Sequence, residues 1–262
     1  MTAREIILRD ERVDFEDEEH SMKTEHIVKS FDVELATLDN YIIEMGGLAE
    51  MQLAGAIDAM VRRDVTKAAE IRESDAQIDA LESEIDQLAI KLIALRQPLA
   101  QDLRVVIAAL KIASKLERIG DYAKNVAKRT VALAEAPSMG GATITIVRMG
   151  QLVQIMIKNV LDAYIARDVH KADDVLARDH EVDQLNTSLF RELLTYMMED
   201  PRNITPCTHL LFVAKNVERI GDHATSIAEQ VYFIVHGALP SEERRTEDTS
   251  SYTTVTPNVD TR

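Results

Sequence analysis

The sequence predicts an all-α protein made of two tandem three-helix bundles related by internal duplication, and three observations predict it. Glycine and proline are few, 9 and 6 in 262 residues, and the prolines stay out of the interiors of long runs of helical periodicity. Five residues, Glu117-Arg-Ile-Gly-Asp121, return as Glu218-Arg-Ile-Gly-Asp222. The pattern around them returns too. Met149-Gly150 stands 104 residues after Met45-Gly46, Arg167-Asp168-Val169 stands 104 after Arg63-Asp64-Val65, and Asp179 and Asp183 stand 104 after Asp75 and Asp79. Each unit is large enough to bury its own core, so the repeat reads as a duplication and not as a solenoid.

Residues 1–21 carry a strong acidic excess ending in Phe15-Glu-Asp-Glu-Glu-His20 and read as a solvated tail, with a short helix over Ile6 to Val13. The first bundle, 22–137, opens with a helix from about Ser30 to Arg62, striped by Phe31, Leu35, Leu38, Ile42, Met45, Ala49 and Met51. Asp64 suits an N-cap for a second helix over 65–96, whose stripe is Ile71, Ile78, Leu81, Ile85, Leu88, Leu92 and Leu95. Gln97-Pro98 ends it, because the residue before proline avoids the helical region. The third helix, about 100–135, carries the first motif.

Ala136-Pro-Ser-Met-Gly-Gly141 is the best candidate boundary. The second bundle, 142–237, repeats the pattern, but its motif stands 101 residues after the first, so it is three residues shorter between its last two helices. Asp200-Pro201 and Thr205-Pro206 make that turn, with Thr205 as N-cap and Pro206 as first helical residue. The last helix fades at His236-Gly237, and residues 238–262 read as a disordered tail rich in Ser, Thr, Glu and Asp.

Composition excludes several classes. A formal net charge of −15 argues against nucleic acid as a partner. The lone cysteine, Cys207, excludes an internal disulfide and fits a reducing cytosol. No run of about 18 apolar residues is evident, so no direct membrane insertion is expected, and the acidic start does not read as a signal peptide. There is no phosphate loop, dinucleotide fingerprint or nucleophile elbow, and the Glu-x-x-His pairs of a ferritin-like di-iron oxidase are absent.

The chemistry sits in the acids. Glu117 and Asp121, like Glu218 and Asp222, share a helix face at i and i+4, where like charges repel by a few tenths of a kcal/mol unless a cation intervenes. Gly120 and Gly221 add about 1 kcal/mol each relative to alanine, which suggests close approach of a neighbouring helix or a ligand. The preceding helices carry Asp75 and Asp79, then Asp179 and Asp183. If the antiparallel helices face each other, four carboxylates converge in each half and stay ionised only with a cation between them. Oxygen donors suit Mg²⁺, Ca²⁺, Mn²⁺ or iron and not a tetrahedral structural zinc. The other reading is a solvated acidic face, and it is preferred for Glu82 and Asp86, because Asn186 and Phe190 stand there in the second half. Arg118 and Arg219 pair with these acids or cover apolar surface. His180 and His223 adjoin the acid positions and are alternative metal ligands, but neighbouring helix positions point about 100° apart, so a surface or packing role is preferred, and Cys207 reads as structural.

At its paired motifs the chain resembles the PhoU family, accessory proteins of bacterial phosphate uptake and phosphate signalling. Arg96-Gln-Pro98, Asp102-Leu-Arg104 and Leu116-Glu-Arg-Ile-Gly-Asp121 look like the family's first repeat, Val217-Glu-Arg-Ile-Gly-Asp-His-Ala224 like the second, and Met45-Gly-Gly47 fits its first helix; about residues 22–237 are covered. The resemblance implies two three-helix bundles. It also implies multinuclear metal sites at Glu117, Asp121, Glu218 and Asp222, with Asp75, Asp79, Asp179 and Asp183 following, for divalent or iron ions (Fe, Mn, Mg or Zn). The implied role is non-enzymatic negative regulation: a cytoplasmic protein, a homodimer, linking the ATPase subunit of a phosphate ABC transporter to a membrane sensor histidine kinase. The alternative is a metal-dependent hydrolase of phosphorylated compounds. The two tails lie outside the resemblance.

Overall fold

The computed structural model describes residues 3–240, with side chains from residue 30 onward. It holds six long helices: α1 (Ala3–Arg62), α2 (Val65–Arg96), α3 (Ala100–Ala134), α4 (Gly140–Ala166), α5 (Val169–Glu199) and α6 (Ile204–His236), with one 3₁₀ turn over Pro201–Asn203. The all-α fold class and the paired three-helix bundles stand.

Helix ends follow local chemistry. Asp64 caps α2 by accepting from the Lys67 N–H, and Asp168 caps α5 by accepting from those of His170 and Lys171. Before each cap stands an arginine in the left-handed region, Arg63 at φ 57° and Arg167 at φ 52°, so both halves turn with the same two-residue device. Gln97 and Gly237 end α2 and α6 in left-handed conformation.

Three expectations need correction. α1 starts at Ala3 and not near Ser30, because neither glycine nor proline interrupts the chain before Gly46. The solvation of the acidic segment and the tail over 241–262 lie outside the described residues. α6 starts at Ile204, so Thr205 is not its cap; Asp200 instead caps the 3₁₀ turn, accepting from the Arg202 N–H, and α6 runs on from it. Pro206 therefore lies in the first turn, where its missing N–H has no helical partner to lose. Finally, Met51 and Leu95 are exposed; Leu53 continues the α1 stripe in place of Met51.

The two bundles are joined along their length. α2 packs on α1 and α3, and α5 on α4 and α6, while α3 packs most extensively on α6 and α1 crosses α4. Helices α1, α3, α6 and α4 thus close a central ring of four, with α2 and α5 outside it. The α1–α4 crossing obeys the repeat: a Cβ at Gly46 would lie 2.6 Å from Leu161, and one at Gly150 would lie 3.1 Å from Ile57. Leu161 stands 104 residues after Ile57, and Gly150 stands 104 after Gly46. Each glycine admits the partner helix's side chain.

By length and by a mean hydropathy of 1.2 over an 18-residue window α4 matches a membrane span, but Arg148 and Lys158 interrupt its apolar residues, in keeping with the sequence expectation. Its Ile146, Met149, Val153, Met156, Ile157 and Val160 are instead buried in the bundle core.

Candidate functional site

In the first half, one acid from each of two neighbouring helices meets at a lysine. Asp75 of α2, 6% exposed, lies against the bare backbone of α3. A Cβ at Gly120 would lie 3.3 Å from Asp75 Oδ1, 3.1 Å from Gln52 Oε1 and 2.8 Å from Ile78 Cδ1. The glycine therefore lets a carboxylate, an amide and an apolar side chain reach the helix. One turn on, Lys124 Nζ pairs with Asp75 and stands 2.6 Å from Asp121 Oδ1. Burial works against this ammonium, but hydrogen bonds to Asp121 and Asp75 outweigh it and hold its pKa above the usual lysine range.

The motif's own acids divide. Burial first, and then Asp121 beside it, push the Glu117 carboxyl up to about 7. Asp121 goes the other way: burial opposes, but Lys124 and Arg118 hold it below the usual range. Arg118 stands 3.6 Å from both Glu117 and Asp121. Asp79 is exposed and does not join Asp75 in the groove. Glu82, set aside on sequence grounds, is half-buried; burial and then Asp86, Asp79 and Asp121 push its carboxyl up. Its place seven residues after Asp75, on the same helix face, was the signal for it.

The second half repeats the glycine contact and changes the cation. A Cβ at Gly221 would again lie 3.3 Å from the α5 carboxylate, Asp179 Oδ1. Here both α5 acids are buried, Asp179 at 4% and Asp183 at 2% exposure, and so is Glu218 at 2%; Asp222 is half-buried. Thr225 stands where Lys124 stands in the first half, and its hydroxyl donates to the Asp222 carbonyl at 2.8 Å. The cation is Lys215, one turn before the motif, with Nζ 2.8 Å from Glu218 Oε1. Sequence reading missed both lysines, although each lies three residues from a motif acid and so on its face.

The two motifs also meet each other. Tyr122 and His223, the residues that follow the two motif aspartates, stack across the α3–α6 seam, and the Arg219 guanidinium lies 5.7 Å from the Tyr122 ring. His180 is exposed and its Nε2 lies 2.8 Å from Gln184 Nε2. Cys207 is buried and burial pushes its thiol up, so it has no activated-thiol character.

The donor set fits a hard cation. Asp75 and Asp121 already share positive charge in the Lys124 ammonium, and the acids of both halves offer oxygen alone. Among the described residues no three His, Cys, Asp or Glu side chains gather round one point, so a three-ligand site calls for side-chain rotation from the arrangement seen here.

The family model described as PhoU domain matches residues 42–130 and 146–231, one segment for each motif. The chain is similar to the phosphate-specific transport system accessory protein PhoU homolog of Caulobacter vibrioides, 54% identical over 221 residues, covering 84% of this chain and 96% of that one. The homolog of Rhizobium meliloti is 48% identical over 230 residues, covering 88% and 97%. Among solved structures, PhoU from Pseudomonas aeruginosa superposes with a TM-score of 0.77 at 39% identity, covering 79% of this chain and all of that one (100%). The phosphate transport system regulatory protein PhoU from Streptococcus pneumoniae gives 0.75 at 28% identity, covering 81% and 100%.

Proposed function

The chain belongs to the PhoU family, and on that premise we propose that it is a negative regulator of phosphate uptake and of the phosphate-starvation response. In this reading it couples the ATPase subunit of a phosphate ABC transporter to a sensor histidine kinase when phosphate is plentiful. The observation that carries it is the match to both repeats, together with relatives named as transport accessory proteins across nearly their whole length. The protein works by docking, as a cytoplasmic homodimer that reaches the membrane through its partners.

Glu117 and Asp121 with Asp75, and Glu218 and Asp222 with Asp179 and Asp183, would hold divalent or iron ions, Asp79 joining by rotation from the surface. Such an ion supplies concentrated positive charge between neighbouring helices. The chain's own part is to present paired carboxylates on α3 and α6 and to keep the neighbouring helix within reach through Gly120 and Gly221. Lys124 and Lys215 hold the acids in register while no ion competes with them.

A phosphate-responsive reporter in cells lacking this gene, grown with excess phosphate, tests the role. The expected result is a reporter stuck on and restored by the intact gene. A normal response would overturn the reading, and turnover of a phosphoester lost in Glu117→Ala would favour the hydrolase.

A further inference from the structure

A cleft of about 600 Å³ lies over the C-terminal part of α3, where α2 and α6 flank it. Arg72 of α2, Lys128 and Arg129 of α3, His209 of α6 and Glu135 line it. In a chain of net charge −15, three cations here face one carboxylate. None of the three forms an ion pair with a described residue, unlike Lys124 or Arg167.

Arg129 is held ready. Its guanidinium stacks 4.4 Å from the centre of the Phe212 ring, and Nη1 donates to His209 Nδ1 at 3.4 Å. An accepting Nδ1 places the imidazole proton on Nε2, and burial, then Arg129, lower the His209 pKa so that the ring stays neutral. The ring is therefore a donor without a charge of its own. The last turn of α3 also borders the cleft, and Arg63 donates to its Ala134 carbonyl at 3.4 Å, which offsets part of the negative end of that helix.

A planar guanidinium fork, a second arginine, a lysine point charge and a neutral N–H suit an anion with several oxygens and two charges. A single carboxylate would leave cationic charge unanswered. We infer that this cleft binds a phosphoryl dianion, borne by a small phosphate ester or free in solution. Its volume exceeds what one phosphate ion needs, and Val131, 49% exposed, gives it an apolar wall.

Calorimetric titration of the full chain with AMP and with orthophosphate tests this. Saturable binding of either supports the site: at least tenfold tighter binding of AMP identifies an ester as the ligand, and equal affinity identifies the free ion. Arg72→Ala with Lys128→Ala, both at exposed positions, should weaken binding at least tenfold while the helical circular dichroism stays unchanged. Arg129→Lys keeps the charge and loses the fork, and should weaken it as well. The His209 ring resonances should move on saturation. No saturable heat with either probe, or binding unchanged in the double variant, would overturn the inference. Neither result bears on the regulatory role, which the reporter tests separately.

Discussion

The ring of Tyr122 lies on the imidazole of His223, centroids 5.5 Å apart and 17° from parallel. Each residue follows the aspartate that closes its motif, so the two motifs touch at this stack. Burial, then the positive charges of Lys115, Arg118 and Arg219, push the His223 pKa down to about 4, with Asp222 opposing. The unfolded chain binds this proton near pH 6.5 and the folded chain resists it. His223 therefore contributes stability that is fully present above pH 6.5 and is lost as pH falls towards 4. Urea midpoints measured across that window should fall in the native chain, and His223→Gln should remove that part of the slope. Equal slopes would mean that the imidazole ionises as freely in the seam as in water.

Glu117 titrates with the opposite sign. Its folded pKa of about 7 lies above the ordinary 4.5, so its contribution is fully present below pH 4.5 and lost as pH rises through 7. Glu117→Gln should flatten stability over that window. In the metal-site reading an ion favours the carboxylate, so uptake of Mn²⁺ should release a proton and tighten as pH rises through the same window. Carbon NMR of the side-chain carboxyl, with calorimetry in two buffers of different ionisation heat, reads both effects. A Glu117 carboxyl titrating at its ordinary value would contradict them.

Lys124→Met removes the cation that Asp75 and Asp121 share. Asp75 is buried, so a lone carboxylate remains there, and the expected loss is about 2 kcal/mol, below the range for a fully buried pair because the lysine is partly exposed. In the metal-site reading the variant should also bind Mn²⁺ more tightly than the native chain, since no ammonium competes. Urea denaturation with and without Mn²⁺ distinguishes the two effects. A variant as stable as the native chain would show that water already screens Asp75.

How much of this was legible in the sequence depends on which interaction sets the position. The repeat, the six helices and the Asp64 cap follow from local rules, because spacing alone decides which face a residue takes. The partner of an acid is set by tertiary packing. Asp75 and Asp79 look equivalent in sequence, yet one is buried and the other exposed, while Asp179 and Asp183 are both buried. The lysines changed places between halves, motif plus three in one and motif minus three in the other, so a search for registered repetition passes over them. The seam was invisible for a further reason: Tyr122 and His223 differ in type, and nothing in one helix announces the other.

The glycines of α1 give a paired test. Gly47 has open space where a Cβ would be, so Gly47→Ala should stabilise by about 1 kcal/mol through helix propensity. At Gly46 the same Cβ would meet Leu161 at 2.6 Å. Gly46→Ala must push that side chain aside, and the overpacking cost of roughly 1–3 kcal/mol cancels or exceeds the propensity gain. Thermal midpoints of the two variants should move in opposite directions, or Gly46→Ala should stay level. Equal stabilisation by both would mean that the α1–α4 crossing is loose enough to absorb a methyl group.

A polar tie spans the same crossing of α1 and α4. Tyr164, fully buried on α4, donates its hydroxyl to Asp39 Oδ1 of α1 at 2.5 Å, and Arg167 Nη2 donates to both Asp39 oxygens at 3.1 Å. The guanidinium also lies 4.3 Å from the Tyr164 ring centre. Burial, then Asp39, keep the phenol protonated, so it remains a donor. Tyr164→Phe removes one hydrogen bond and leaves Asp39 with its arginine, at a cost of about 1 kcal/mol. Asp39→Ala strands a buried hydroxyl and a guanidinium on a residue already in the left-handed region, so it should cost more, about 2–3 kcal/mol. A double-mutant cycle between the two positions should give a coupling of about 1 kcal/mol. Zero coupling would mean that water serves the hydroxyl equally well, and the tie between the bundles would then rest on the glycine contacts and the α3–α6 seam.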